Sequence, residues 1–579
     1  DYDGLAKITL ALKPSRQSTI DGLSLEIPLR DALVRYLHTC GDGIRHNYAG
    51  QTPAGEGLIW NSNQANKINI VGPFYPYLWL GGGERGLAWF ADTDYDWSLD
   101  EKKPALELFR QGQVLTLRVN FITKDTPLDR ERRIVFGLQA TPAKPMPEVP
   151  VNWRRWLCRY YETPKTQPFT ILGASYYYGC LSCDFYPLKK DFSIYEAFSR
   201  ARDTGTFDKA FVEKWLEKYK EFVQPGTDRW TFFVNHINSG MSTAAGSLRS
   251  RGWLLTPYTN PRGMGFHMEE WPTFQDEWIQ FPYFQRQKEG TVAYEICPVK
   301  SFQDAALWYY REMMRCFDGI YWDNLYLAAN YDTVAGGAWV DERGRIHPSM
   351  GLWAMRDLVK RTAVLFHECG RPVFLNVVHM TNGNMVPLLS FANVSLDWEW
   401  HYGKRDFQDR FTPEMTVAET IGRQCGNIPL ILSGGFYDSK DPVYPWVMRT
   451  RLGVCLVHEL KVWDWQPAFH YEMMKKLYDF GYGEKDCRVY NYWDEGFPLS
   501  VRGVNAKGIV MARPNRAVVI ITDYGEGGQA TVKIDNQKVS LPQKVRCCDF
   551  ETGEELTVSS AGEITFYLKK HDFKALLLE

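Results

Sequence analysis

Residues 302–326 run FQDAALWYYREMMRCFDGIYWDNLY. Phe302, Ala306, Tyr309, Tyr310, Met313 and Phe317 recur three or four apart, the spacing of one helical face. From Gly319 the pattern changes to a short apolar run rich in aromatic residues, the mark of a buried strand. A period of two sets Ile320 and Trp322 on one side and Tyr321 and Asp323 on the other, with Asp323 at the strand's end. A helix running into a buried strand is one step of a repeating β/α architecture.

The same step recurs on both sides. Between about 153 and 484 there are eight short apolar segments: FTILGASYY (169–177), WTFFVNHI (230–237), WLLTPYTN (253–260), GIYWDNLY (319–326), VFLNVVHM (373–380), NVSLDWEW (393–400), IPLILSGG (428–435) and GVCLVHEL (453–460). Helical stretches such as DKAFVEKWLEKYKEF and LWAMRDLVKRTAVLFHE separate them, which calls for parallel strands under covering helices. Eight units in roughly 330 residues suit a closed (β/α)8 TIM barrel. An open doubly wound sheet would place a phosphate loop after its first strand, and FTILGASYYYG has none. The flanks read differently. Residues 1–148 alternate as in AKITLALK and VLTLRVNFI, predicting an N-terminal β-sandwich, and TPAKPMPEVP ends it with four prolines. Residues 149–485 form the predicted barrel, and 486–579 a small C-terminal antiparallel β-domain of sandwich type, with AVVIITDYGEG, ATVKID and EITFYLKKHDFKALLLE as its strands. No internal repeat is present, which removes solenoid readings.

Composition narrows the partners. Lys plus Arg (67) nearly cancel Asp plus Glu (69) with no long run of one sign, so nothing suits a polyanionic nucleic acid or an anionic membrane surface, and the balance points to a neutral or modestly charged partner. Aromatics make up 15% of the chain, with 21 Trp and 32 Tyr; such rings stack on the C–H faces of sugars, and they also fill large cores. No apolar stretch approaches the roughly 20 residues that span a bilayer. The chain opens DYDGLAKI without an initiator Met, which fits either a trimmed mature chain or a piece cut from a longer one; on the first reading a signal peptide has been removed and a secreted or periplasmic protein is expected. The twelve Cys are scattered through predicted strands and helices, so buried free thiols are expected over a disulfide framework. The oligomeric state is not written in the sequence.

A barrel carries its chemistry at the C-terminal ends of its strands, so polar residues closing a strand are the informative ones. Asp323 closes the fourth. In the sixth, Val394, Leu396 and Trp398 are expected to face the helices, while Ser395, Asp397 and Glu399 point to the axis. Inward carboxylates are costly unless used or paired. Glycosidic cleavage uses two: one attacks or supports the anomeric carbon, and one with a raised pKa protonates the departing oxygen. Asp323 and either Glu399 or Asp397 supply that pair; Glu399 is favoured as the nearer to the strand end. Tyr258, Tyr321, Asn376, His379 and His458 lie near other strand ends and could bind hydroxyls, and Trp463 with Asp464 offers a stacking platform beside a carboxylate. Each also has a purely structural reading, as a loop cap or a satisfied buried group.

Other patterns dissolve. Gly81, Gly83 and Gly86 satisfy GxGxxG but sit between strand-like flanks, which predicts a hairpin. Cys180 and Cys183 form a CxxC without a second half. Asp92, Asp94 and Asp96 resemble the start of a calcium loop, except that Trp97 stands where the turn wants Gly; a structural calcium is left open and no cofactor is required. His367–Glu368 and His458–Glu459 lack the second His of HExxH, so a zinc peptidase is not expected.

At YWDN and LDWE the chain resembles the retaining α-glycosidases of the α-galactosidase clan, which implies a strand-four Asp nucleophile and a strand-six carboxylate acid/base. The run YWDNLYLAANYDTVAGGAWVDERGRIHPSMGLWAMRDLVKR, with HMTN, SFANVSLDWEW and the terminal HDFKALLLE, resembles a poorly characterised family of predicted glycoside hydrolases from bacterial polysaccharide-utilisation systems. That resemblance covers most of the chain. It implies a barrel between β-domains, a carbohydrate substrate, Asp323 as nucleophile and Glu399 or Asp397 as acid/base. A second resemblance, to N-acetylhexosaminidases that use the substrate's own acetamide, implies an adjacent Asp–Glu pair, here Asp341 and Glu342. A carbohydrate-binding protein on a barrel scaffold is the non-enzymatic alternative.

Overall fold

In the computed structural model the described residues are 1–40, 47–63, 72–155, 188–220, 226, 234–235, 237–238, 240–242, 244–245, 256, 258–259, 261–265, 268–281, 285–288, 291–322, 325, 327–370, 375–379, 385–397, 406–419, 421–431, 440–462 and 468–579. The alternation in VLTLRVNFI makes the strand Val114–Ile122, which buries Leu115, Leu117, Val119 and Phe121. It lies in a four-stranded sheet with Leu23–Arg30, Leu106–Gln111 and Gly57–Asn61. A six-stranded sheet is made of Leu5–Leu12, Arg132–Thr141, Gly86–Phe90, Tyr77–Gly81, Tyr36–Cys40 and Asn47–Gln51. Every pairing in both sheets is antiparallel, and Trp79, Trp89, Leu108 and Val119 share one core. Gly81 and Gly86 pair across a tight hairpin, and the Trp79 indole fills the space a Cβ would need at either position.

In the middle of the chain six strands lie side by side, all parallel and in chain order: Tyr258–Thr259, Gly319–Trp322, Leu375–His379, Val394–Asp397, Ile428–Ile431 and Lys461–Val462. Helices Lys300–Met313, Leu352–Glu368, Pro413–Glu419 and Tyr444–His458 precede or join them. Sequential parallel strands with helical crossovers are β/α units. The first expected strand, 169–177, lies outside the described residues, so ring closure does too. Val234, Asn235 and Ile237 are helical, so the second expected strand does not extend to Ile237.

Two expectations are corrected. GVCLVHEL is not the eighth strand: it is the end of the helix Tyr444–His458, and the strand is Lys461–Val462. That helix is buried on nearly every side from Val447 to His458, and an apolar run without a polar face cannot be told from a buried strand by periodicity. The second correction concerns which way Val394–Asp397 faces. Trp322 donates its indole N–H to the Tyr310 hydroxyl on the helix Lys300–Met313, which fixes its row as helix-facing. Register carries that row through Val378 to Ser395 and Pro429, while Asp397 is registered with Ile431. Ile320, Trp322, Ile431 and Val462 belong to the core packed by the helices, whereas Tyr321, Val394, Leu396, Ile428 and Leu430 stand apart from it. Ser395 and Asp397 therefore occupy helix-facing register positions, and Val394 and Leu396 lie in the row of Tyr321. Both faces of a parallel sheet are covered, so hydrophobic pattern alone does not choose between them.

At the C-terminal end a six-stranded antiparallel sheet built on Ala506–Arg513, Arg516–Asp523 and Phe573–Leu578 stacks on a three-stranded one of Leu499–Arg502, Gly527–Ile534 and Glu563–Lys569. No described helix is long and apolar enough to cross a membrane. Cys297, Cys316, Cys425, Cys455, Cys487 and Cys547 are buried free thiols.

Candidate functional site

The parallel strands all end on one edge, and the register places some of the expected residues along them. Register aligns Tyr258, Tyr321 and Val377 in one row, with His379 two positions further along beside Leu396. Asn376 is registered with Ile320, in the other row. Tyr321 is buried. For Tyr258, Asn376, His379 and Asp397 the backbone position is described; Asp323, Glu399, Trp463 and Asp464 lie outside the described residues.

His458 sits elsewhere. At the C-terminus of its helix it precedes the strand Lys461–Val462, on the opposite edge from the strand ends. Burial pushes its pKa down to about 3, so the ring is neutral. Nδ1–H donates to the Val454 carbonyl at 2.8 Å, and Nε2 accepts from the Tyr492 hydroxyl at 2.8 Å. Both ring nitrogens are thus spent inside the protein. Glu459 follows in left-handed backbone, φ 55°, and turns a fully buried carboxylate onto Arg154 (2.7 Å), Tyr482 (2.9 Å), Arg423 (3.2 Å) and Asn491 (3.3 Å). Its burial opposes ionisation, yet the two guanidiniums hold the carboxyl well below the usual carboxylate range. This knot ties the segment that follows the N-terminal sandwich to the C-terminal sheets.

After the strand Gly319–Trp322 a long crossover reaches the N-terminal sandwich before the helix Leu352–Glu368 begins. The three aspartates that resemble a calcium loop are distributed along that contact. Asp92 accepts from Ser349 Oγ at 2.8 Å and from Leu352 N at 2.5 Å. Asp94 accepts from the Trp339 indole at 2.9 Å and pairs with His347 Nδ1 at 2.7 Å. Asp96, at φ 66°, accepts from Arg133 N and pairs with Arg130 at 2.6 Å. Carboxylates occupied on separate partners do not form an oxygen cage. Asp406, Asp409 and His571 have ligand atoms within 4.8 Å of one another, but His571 Nδ1 already bonds Asp406 at 2.9 Å, and an imidazole nitrogen suits calcium poorly.

The Asp341–Glu342 pair lies in the turn between the short strands Trp339–Val340 and Ile346–His347. Asp341 accepts from the backbone N–H of Arg343 and Arg345 and from Arg345 Nε, at 2.8–2.9 Å, and lies 3.3 Å from His347 Nε2. Burial works against its charge, but those bonds hold its carboxyl far below the normal range. It is a turn-forming anion with every lone pair engaged, unlike a carboxylate that must steer an acetamide. Sequence gave no signal for the trans-acting partners Asp92 and Asp94, because their targets lie some 250 residues away.

No family model matches the sequence, and no curated protein matches it. Solved structures resemble it weakly. The galactosidase domain of an alpha-galactosidase-sucrose kinase is 11% identical, covers 100% of this chain and 78% of its own, and gives a TM-score of 0.44. A GH36 alpha-galactosidase from Geobacillus stearothermophilus is 10% identical over 96% of this chain and 75% of its own, at 0.41. A GH27 β-L-arabinopyranosidase from the same organism is 10% identical over 52% and 67%, at 0.35. Scores at this level leave activity and substrate to be argued from the chain itself.

Proposed function

We propose that this chain is an exo-acting, retaining glycoside hydrolase with Asp323 as nucleophile and Glu399 as acid/base. The observation that carries the reading is the register of the parallel sheet: Tyr321 stands in the row opposite the helix-facing Trp322 at the end of its strand, and Asp323 is the next residue in the sequence. The end of a parallel β/α strand is where such folds keep reacting groups. Asp397, which is registered with Ile431, is the alternative donor.

In this mechanism Asp323 attacks the anomeric carbon while the bond to the leaving oxygen breaks and Glu399 gives that oxygen its proton. Water then opens the glycosyl ester, passing a proton to Glu399 and freeing Asp323. Retention requires carboxyl groups about 5 to 5.5 Å apart, and inversion about 6.5 to 9.5 Å. Asp323→Asn should lower turnover of an activated aryl glycoside by roughly 10⁴-fold or more, the scale seen when a nucleophile is removed. Exogenous azide should rescue Glu399→Gln, giving a glycosyl azide of retained configuration. A fully active Asp323→Asn enzyme would sink the proposal. A panel of aryl glycosides with and without a 2-acetamido group tests the substrate-assisted route, which requires that group.

A further inference from the structure

A pocket of about 720 Å³ opens between the sandwich loops and the Trp339–His347 hairpin, within the range of small-ligand sites. Its walls are held in place. Asp94 grips both ends of the hairpin through Trp339 and His347, and Arg345 reaches across to Glu101 at 2.7 Å. Trp339 stacks on His347 with centroids 4.3 Å apart, and Tyr95 stands at right angles to Trp339 at 5.7 Å, forming an aromatic corner. Tyr95 is 48% exposed although it belongs to a loop whose neighbours Asp94 and Asp96 are buried. Leaving a tyrosine ring half in water on an anchored loop is a feature of ligand-facing surfaces, where its two-torsion side chain adds contact at little entropic cost.

The charges select the ligand class. Five Lys and Arg side chains, His347 and six acidic side chains line the pocket, and several of them are already paired: Arg130 with Asp96, His347 with Asp94, and Arg345 with both Asp341 and Glu101. An anionic ligand would meet the carboxylates and a cationic one the guanidiniums. A ligand covered in hydroxyls uses both kinds of group at once, and its C–H faces suit Tyr95.

We propose that this pocket binds a stretch of a neutral glycan chain. The proposal deepens the glycosidase reading by adding a chain-holding subsite, and it rests on that reading only for the expectation that the substrate is a saccharide. The test uses the full chain carrying Asp323→Asn, titrated by calorimetry with cellotetraose, xylotetraose, mannotetraose, maltotetraose and β-1,4-galactotetraose, with tetragalacturonate and a mixed-sequence peptide as charged and peptidic probes. At least one neutral tetraose should bind, and adding Tyr95→Ala or Glu342→Ala should weaken it at least tenfold while leaving the thermal midpoint in place. Absence of binding by every neutral probe, preference for tetragalacturonate or peptide, or unchanged binding in Tyr95→Ala would each overturn it. Tyr95-dependent binding in a protein that turns over no aryl glycoside would uphold the pocket and defeat the proposed catalysis.

Discussion

Glu459 shows how one residue can bind three parts of the chain. Its carboxylate is fully buried between Arg154 and Arg423, and Tyr482 and Asn491 complete its bonds. Removing one member of a buried ion network leaves the others uncompensated, a loss of roughly 3 to 5 kcal/mol. Glu459→Gln keeps the left-handed backbone and the side-chain size, so a drop of that order in unfolding free energy, measured by urea titration at pH 7, isolates the charge. The pH dependence has a definite sign. The folded carboxyl titrates below its unfolded value of about 4.3, so its stabilisation is complete above that pH and disappears as pH falls toward the depressed folded value. The acid limb of stability from about pH 5 downward should therefore be shallower in Glu459→Gln than in the parent.

At the scale of elements, the helix Leu352–Glu368 begins without a cap of its own. Its N-cap is Gly351, at φ 64°, which has no side chain to accept from the first turn. Asp92, on the sandwich, accepts from Leu352 N and so caps the helix from another sheet; its burial raises its pKa, and the bonds to Ser349 and Leu352 counter that. An N-cap carboxylate also meets the positive end of the helix dipole. Asp92→Ala should lower stability by about 1 kcal/mol, up to ~2 kcal/mol, and should speed amide exchange in the first turn of this helix. Unchanged exchange there, with a lower midpoint, would assign the loss to the Ser349 contact alone.

For the whole molecule, the C-terminal sheets dock on the helix Tyr444–His458 through Gly453. A Cβ at that position would meet Thr522 Oγ1 at 2.4 Å and the Phe573 Cβ at 3.3 Å. Thr522 is buried and accepts from Gln408, so it cannot swing aside freely. Alanine gains about 1 kcal/mol of helix propensity over glycine, but overpacking a close contact costs typically 1 to 3 kcal/mol. Gly453→Ala should therefore destabilise on balance, and limited proteolysis should then cut first between residues 480 and 488, where the chain leaves the helix Ala468–Phe480 for the C-terminal sheets.

The sequence alone determined the elements whose signal is local. VLTLRVNFI and LWAMRDLVKRTAVLFHE carry periods that only one secondary structure satisfies, and the strand Val114–Ile122 and helix Leu352–Glu368 follow them residue for residue. Gly81 and Gly86 marked a hairpin for the same reason, and the alternation in GIYWDNLY set Trp322 and Tyr321 on opposite sides, as the sheet has them. Tertiary structure decided what a period cannot: that GVCLVHEL is a buried helix, that Ser395 lies in the row of Trp322, and that Asp92, Asp94 and Glu459 find partners far along the chain. A residue buried on all sides has lost the contrast between water and core from which local patterns are read, and only its neighbours in space fix where it points.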